Sequence, residues 1–149
     1  MCSIDKLDEQ IIDALNENGR RSFRDIARGL GVSIGTISNR IKVLEATGII
    51  RGYLPVVDAE KVGYELSVVV GVKIARGRLI EVQKNIARDR RVFGVYDVTG
   101  EWDSILLARF RTRTDLNNFI KNLAAMENIE RTCTYLVLNV VKEEHRVDV

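Results

Sequence analysis

The residues with chemical reach are few in this 149-residue chain, and they are unevenly spread. Its one histidine, His145, stands in a charged tail, Lys142-Glu143-Glu144-His145-Arg146, where a solvent-facing side chain is expected. A zinc site or an imidazole-activated nucleophile needs His beside Cys, Ser or carboxylate partners, and that company is missing. Cys2 and Cys133 are far apart in sequence and match no metal spacing or disulfide framework, which fits a reducing cytoplasm. Glu101 and Asp103 are the only nearby carboxylates that a shared catalytic pocket would have, and no phosphate loop or nucleophile–His pair accompanies them. What stands out is basic. Between Gly19 and Val43 lie Arg20, Arg21, Arg24, Arg28, Arg40 and Lys42 against one acid, Asp25, while the stretch before holds Asp5, Asp8, Glu9, Asp13 and Glu17. The net charge of +2 hides this polarity. A basic face backed by an acidic one is what contact with a phosphate backbone requires.

The elements that would position this face are helical. Asp5 can cap a helix whose inward residues are Leu7, Ile11, Ile12 and Leu15, stopped at Asn18-Gly19. Ser22 caps a short second helix with Phe23, Ile26, Ala27 and Leu30 inward, and Gly31 ends it in a left-handed conformation. Ser33 caps a third, with Ile34, Ile37, Ile41 and Leu44 inward, ending at Thr47-Gly48. Two helices joined by a short turn containing Gly, here Gly31-Val32-Ser33, describe a helix-turn-helix. Plotted around the third helix, Ile41 and Leu44 fall within about 40° of Ile37. Gly35, Thr36, Ser38, Asn39 and Lys42 face the other way, small or polar and able to reach base edges or phosphates. Gly35 inside a helix costs roughly 1 kcal/mol against Ala, a cost that close approach to DNA would explain. Arg40 lies about 60° off the core axis, suited either to a phosphate or to an internal brace with Glu17 or Glu45. An ordinary three-helix domain with solvated charges is the competing reading.

After Gly48 the pattern turns into a strand through about Val57, interrupted by Pro55 as an edge strand can be, and then a hinge from Asp58 to Gly63. The second half changes period. It predicts a strand over Leu66–Ile74, a helix over Arg78–Arg88, strands over Val92–Thr99 and Ser104–Arg111, a helix capped by Thr112 or Thr114 running to about Met126, and a long strand over Thr132–Val141. The order β-α-β-β-α-β is ferredoxin-like. The Leu66–Ile74 run is apolar on nearly consecutive positions, so the sheet face without helices is expected to be covered, most economically by a second copy.

Hydrophobic residues make up 46% and charged residues 30% of the chain, with a single proline, which is globular composition. With no apolar run long enough to span a bilayer and no leader pattern, the expected location is the cytoplasm, with no membrane partner.

The residues resemble one family. The run Leu7-Asp8, Ile11-Ile12, Leu15, Asn18-Gly19-Arg20, Ile26-Ala27, Gly31-Val32-Ser33, Ile37, Arg40-Ile41, Leu44-Glu45, Gly48-Ile49-Ile50 and Tyr53 is similar to the winged helix-turn-helix of the Lrp/AsnC, or feast/famine, transcriptional regulators. The likeness continues through Val57-Asp58, Val62-Gly63, Val95-Tyr96, Thr99-Gly100, Trp102-Asp103 and Thr132-Cys133-Thr134. It implies an α+β chain: a winged helix-turn-helix over 1–52, a connecting strand and hinge over 53–63, and a ferredoxin-like βαββαβ effector-sensing and oligomerisation domain over 64–149. It further implies homodimers assembling to octamers or larger discs, double-stranded promoter DNA as partner, frequent control of the regulator's own gene, and an amino-acid effector with no cofactor or metal. On this resemblance Arg20, Arg21, Ser22 and Lys42 hold phosphates, Thr36, Ser38 and Asn39 read bases, and Ser33, Gly35 and Arg40 belong to the same surface. The effector set is Gly100, Glu101, Trp102, Asp103, Thr132 and Thr134, with Asp103 pairing an α-ammonium. The same residues also suit an ordinary hairpin turn and an ordinary strand. Alternatives are an architectural DNA-binding protein without effector and, further off, an enzyme-regulatory subunit.

Overall fold

The computed structural model describes residues 4–144 and 146–149, so Cys2 and His145 lie outside the described residues. The chain divides into two compact units, one up to Val56 together with the tail Glu143–Val149, the other Val57–Lys142.

The first unit holds three helices: α1 (Lys6–Glu17), α2 (Phe23–Leu30) and α3 (Ile34–Ala46). Each begins where a side chain satisfies the first free N–H groups. The Asp5 carboxylate accepts from the Leu7 and Asp8 N–H groups at 3.0 Å, and Asp8 accepts from the Asp5 N–H at 3.2 Å, a reciprocal cap. Ser22 accepts from the Asp25 N–H and Ser33 from the Thr36 N–H. Gly31 closes α2 at φ 67°, a conformation that a residue with a Cβ adopts only under strain. Ile11, Ile26, Ile37, Ile41 and Leu44 interlock in the core, each no more than 2% exposed. Burial of each contributes roughly 1.5–3 kcal/mol. The tail closes against α1, where Asn16 Nδ2 donates to the Val147 carbonyl at 3.0 Å. The sequence assigns that tail to the second domain; in the structure it belongs to the first unit.

The second unit is a four-stranded antiparallel sheet of order β2-β3-β1-β4, built from β1 (Leu66–Ile74), β2 (Val92–Asp97), β3 (Ser104–Phe110) and β4 (Ile129–Leu136). Helices α4 (Leu79–Ile86) and α5 (Arg113–Ala124) supply its core together with alternate strand residues. Val68, Val70, Val72, Leu106, Ala108 and Phe110 pack with Val82, Ile86, Phe119 and Leu123. The intervening residues, among them Val69, Gly71, Ile105 and Leu107, point to the opposite face. The register slips between Val92 and Gly94, leaving Phe93 as an extra residue in a bulge.

Two expectations need correction. Residues 51–58 form no strand, because a strand needs a ladder partner and none faces this segment among the described residues; Leu54 and Val56 stand fully in solvent. The last strand runs over Ile129–Leu136 instead of Thr132–Val141. Its neighbour β1 begins at Leu66, so after Val137, whose N–H donates to the Ser67 carbonyl, no further ladder is available.

Candidate nucleic-acid interface and effector loop

On α3 the residue period separates two jobs. Ile37, Ile41 and Leu44 are buried, while Gly35, Asn39 and Lys42 are exposed and Thr36 and Ser38 half-buried. A Cβ added at Gly35 would meet only the Ser33 hydroxyl, at an ordinary 3.7 Å, so nothing within the unit requires a glycine there. The Ser33 hydroxyl caps α3 and pairs with the Thr36 hydroxyl at 2.9 Å. Ser22 is engaged likewise, donating to Asp25 at 2.6 Å. Arg20 is exposed, and Arg21 pairs with Glu17 at 3.1 Å, one turn away on the surface. Such exposed pairs are worth little and exchange readily for a phosphate.

Arg40 is an internal brace. Its guanidinium donates to Asp5 at 2.6 Å and to both oxygens of the nearly buried Asp8 at 3.3 Å. Neither expected partner is used, because Glu17 takes Arg21 and Glu45 accepts from the Tyr53 hydroxyl at 3.0 Å. Burial, then Glu45, pushes the Tyr53 phenol up to about 12. The Asp8 backbone N–H, aided by Arg40, holds the Asp5 carboxyl below its usual value.

In the second unit the 99–103 loop is fixed at Asp103. Its N–H donates to the Val72 carbonyl, and its carboxylate accepts from the Ile74 N–H at 2.8 Å and from Lys73 Nζ at 2.9 Å. The Ile74 N–H, then Lys73, keep that carboxyl below the ordinary carboxylate value. Gly100 takes φ 118°. The Trp102 ring lies flat on Gly71, where a Cβ would come within 2.5 Å of it. Arg131 covers the ring, its Cζ 4.5 Å from the centroid, and donates to Glu101 at 2.6 Å. Thr132 and Thr134 share a face as expected, but they stand opposite Val72 and Val70 on the face that the helices cover. Trp102 occupies the other face. Within one chain, therefore, Glu101, Trp102 and Asp103 come together and the two threonines lie across the sheet from Trp102.

The winged helix-turn-helix DNA-binding profile matches residues 4–51, and the profile of the Lrp/AsnC ligand binding domain matches residues 67–147. The chain belongs to the Lrp/AsnC family. It is a DNA-binding transcriptional regulator with a ligand-binding domain, not an enzyme. It is 45% identical to an HTH-type transcriptional regulator of Pyrococcus furiosus over 97% of this chain and 98% of that one. The solved structure of Escherichia coli AsnC is similar at a TM-score of 0.90 and 25% identity, over 97% of this chain and 98% of AsnC. The structure of regulator NMB0573 of Neisseria meningitidis, a complex with L-Met, is similar at a TM-score of 0.84 and 25% identity, over 95% of this chain and 94% of that one.

Two residues at the loop of this Lrp/AsnC chain are not legible in its sequence. Lys73 and Arg131 come from strands about thirty residues away on either side, so no local spacing marks them. The available signals are Lys73 as the one charged residue of β1, and Gly71 inside it, since glycine in a strand often marks a close approach.

Proposed function

We propose that this regulator reads DNA through the outward face of α3 and that an amino acid or related metabolite, bound at the 99–103 loop, changes its DNA affinity or assembly. The observation that carries the reading is the division of labour on α3: core residues on one face, and on the other a small, polar and basic strip that takes no part in the core. Thr36, Ser38 and Asn39 are positioned for base edges, and Arg20, Arg21 and Lys42 for phosphates. Ser22 and Ser33 contribute as caps that aim the helices, and Arg40 as the brace that fixes α3 against α1. The L-Met in the neisserial relative supports an amino acid as effector. Asp103 is already held by Lys73, so an effector ammonium would share that carboxylate and not find it free.

The function also needs a second copy. The sheet face carrying Val69, Ile105, Leu107, Tyr96 and Tyr135 has no helix over it, and two such faces meeting would bury it. A two-fold dimer would then read two half-sites a helical turn or a multiple of it apart, with further association to octamers or larger discs. Where Thr132 and Thr134 bear on the ligand, they would do so at contacts between copies. No described helix is long and apolar enough to cross a membrane, and a promoter-binding protein belongs in the cytoplasm. No cofactor or metal enters this reading.

Binding of variants to promoter DNA tests it. Lys42→Ala should weaken all sequences alike and lower the salt slope by about 1, while Asn39→Ala should relax preference at particular base pairs and leave the slope unchanged. If neither affinity nor preference moved in either variant, α3 would not be the reading helix.

A further inference from the structure

A buried hydroxyl stands where the 99–103 loop rejoins the sheet. Ser104 opens β3, and the inward residues that follow it on that strand are Leu106, Ala108 and Phe110. Among the described residues of this unit, Ser104 is the one polar side chain in the buried core, at 0% exposure. A hydroxyl buried there without partners would destabilise the fold. This one has two partners. Its Oγ donates to the Tyr96 carbonyl at 2.9 Å and accepts from Gln83 Nε2, on α4, at 3.2 Å.

These two bonds tie both stems of the loop to each other and to a helix. Tyr96 lies near the end of β2, next to Asp97, which pairs with Ser104 across the ladder. The chain leaves the sheet after Asp97 and returns at Ser104. Between them the Val98 N–H donates to the Asp103 carbonyl at 3.3 Å. Asp103 fastens the loop to β1, through the Val72 carbonyl, the Ile74 N–H and Lys73. Ser104, the next residue, fastens it to α4. Val82 and Ile86 are buried and seat α4 against the sheet, and Gln83, half-buried beside them, reaches from α4 to β3.

We propose that Gln83 is a positioning residue for the 99–103 loop. Acting through Ser104, it holds the loop stems from the helix side, as Asp103 holds them from β1. This role rests on the reading that an effector binds at the loop. A loop held from both sides is ordered before the effector arrives, so less freedom is lost on binding. Any displacement of Ser104 on binding is carried to α4.

Amide hydrogen exchange of the full chain without ligand, followed by mass spectrometry, tests this. Gln83→Leu keeps a good helix former in α4 and removes the donor. Peptides covering 97–104 should exchange about fivefold faster, while those covering β1 and α5 keep the wild-type rate. Ser104→Ala should also speed exchange at the loop. Gln83→Leu added to Ser104→Ala should bring no further acceleration, because the two residues act as one link. Wild-type exchange at the loop in Gln83→Leu would overturn the proposal. So would acceleration spread evenly over the unit, the mark of a residue that only supports the fold, or a full further acceleration in the double variant. With no ligand present, the result is independent of the effector reading, whose failure would show separately as DNA binding indifferent to every amino acid.

Discussion

Among single residues, Gly35 is one whose type the folded unit does not explain. It sits inside α3 where an added Cβ would make only an ordinary contact with the Ser33 hydroxyl, and it weakens the helix by roughly 1 kcal/mol relative to alanine. Gly35→Ala should therefore raise the thermal stability of the chain and lower its affinity for DNA, because the added methyl would stand where the phosphate backbone or a base edge approaches. A more stable variant with full DNA affinity would make the glycine an accident. Asp5 carries a different prediction. The Asp8 backbone N–H and Arg40 hold its carboxyl below the usual 3.8, so the stabilisation is complete above that value and is lost as the pH falls through the lower folded-state value. Asp5→Asn keeps an oxygen to cap α1 but no charge to lose. Helix content followed from about pH 5 to pH 2 should show a smaller acid-dependent fall in the variant, and equal acid sensitivity would contradict the role given to Asp5. The caps themselves, Asp5, Ser22 and Ser33, are legible in the sequence because a cap is a local pattern. The brace is legible only as one of two roles for Arg40, and its partners are not, since Arg40 meets Asp5 and Asp8 across a separation in sequence that only the packing of α3 on α1 closes.

Among the elements, the three helices and β1 follow directly from periodicity, and β2, β3, α4 and α5 to within one to two residues at their ends. Apolar spacing fixes them, and the ends depend on local caps. The two failures share one cause. Residues 51–57 and 137–141 have strand composition, and a strand exists only where a neighbour supplies its ladder. Sequence pattern reports the side chains and not the partner. The same limit hid the arrangement around the 99–103 loop. Alternation places Thr132 and Thr134 together, but which face they share depends on how β4 registers with β1. The Gly71–Trp102 contact joins these elements and can be tested. A methyl at residue 71 would lie 2.5 Å from the indole, so Gly71→Ala must move the ring. Trp102 is the only tryptophan, so its emission should shift to the red and stability should fall by about 1–3 kcal/mol. Unchanged emission would mean that the ring does not rest on β1.

In the whole molecule, one chain joins a reader to a sensor. On the function proposed above, helix α3 reads DNA and the ligand-binding unit sets the DNA affinity or the assembly. Coupling of this kind amounts to about 1–3 kcal/mol, a factor of roughly 5–150 in affinity. The polar strip on α3 and the basic residues around it would make binding steep in salt, with log K falling by about 0.9 per phosphate contacted against log salt. A dimer of such chains would protect two half-sites instead of one. The direct test is a gel shift of the purified chain on the DNA upstream of its own gene, across a salt series and with competitor DNA, with and without a pool of amino acids. A regulator of this kind should bind tightly, survive competitor, weaken steeply with salt and respond when one amino acid of the pool is present. Weak binding that competitor removes, indifferent to every amino acid, would contradict that role and leave an architectural DNA-binding protein in its place.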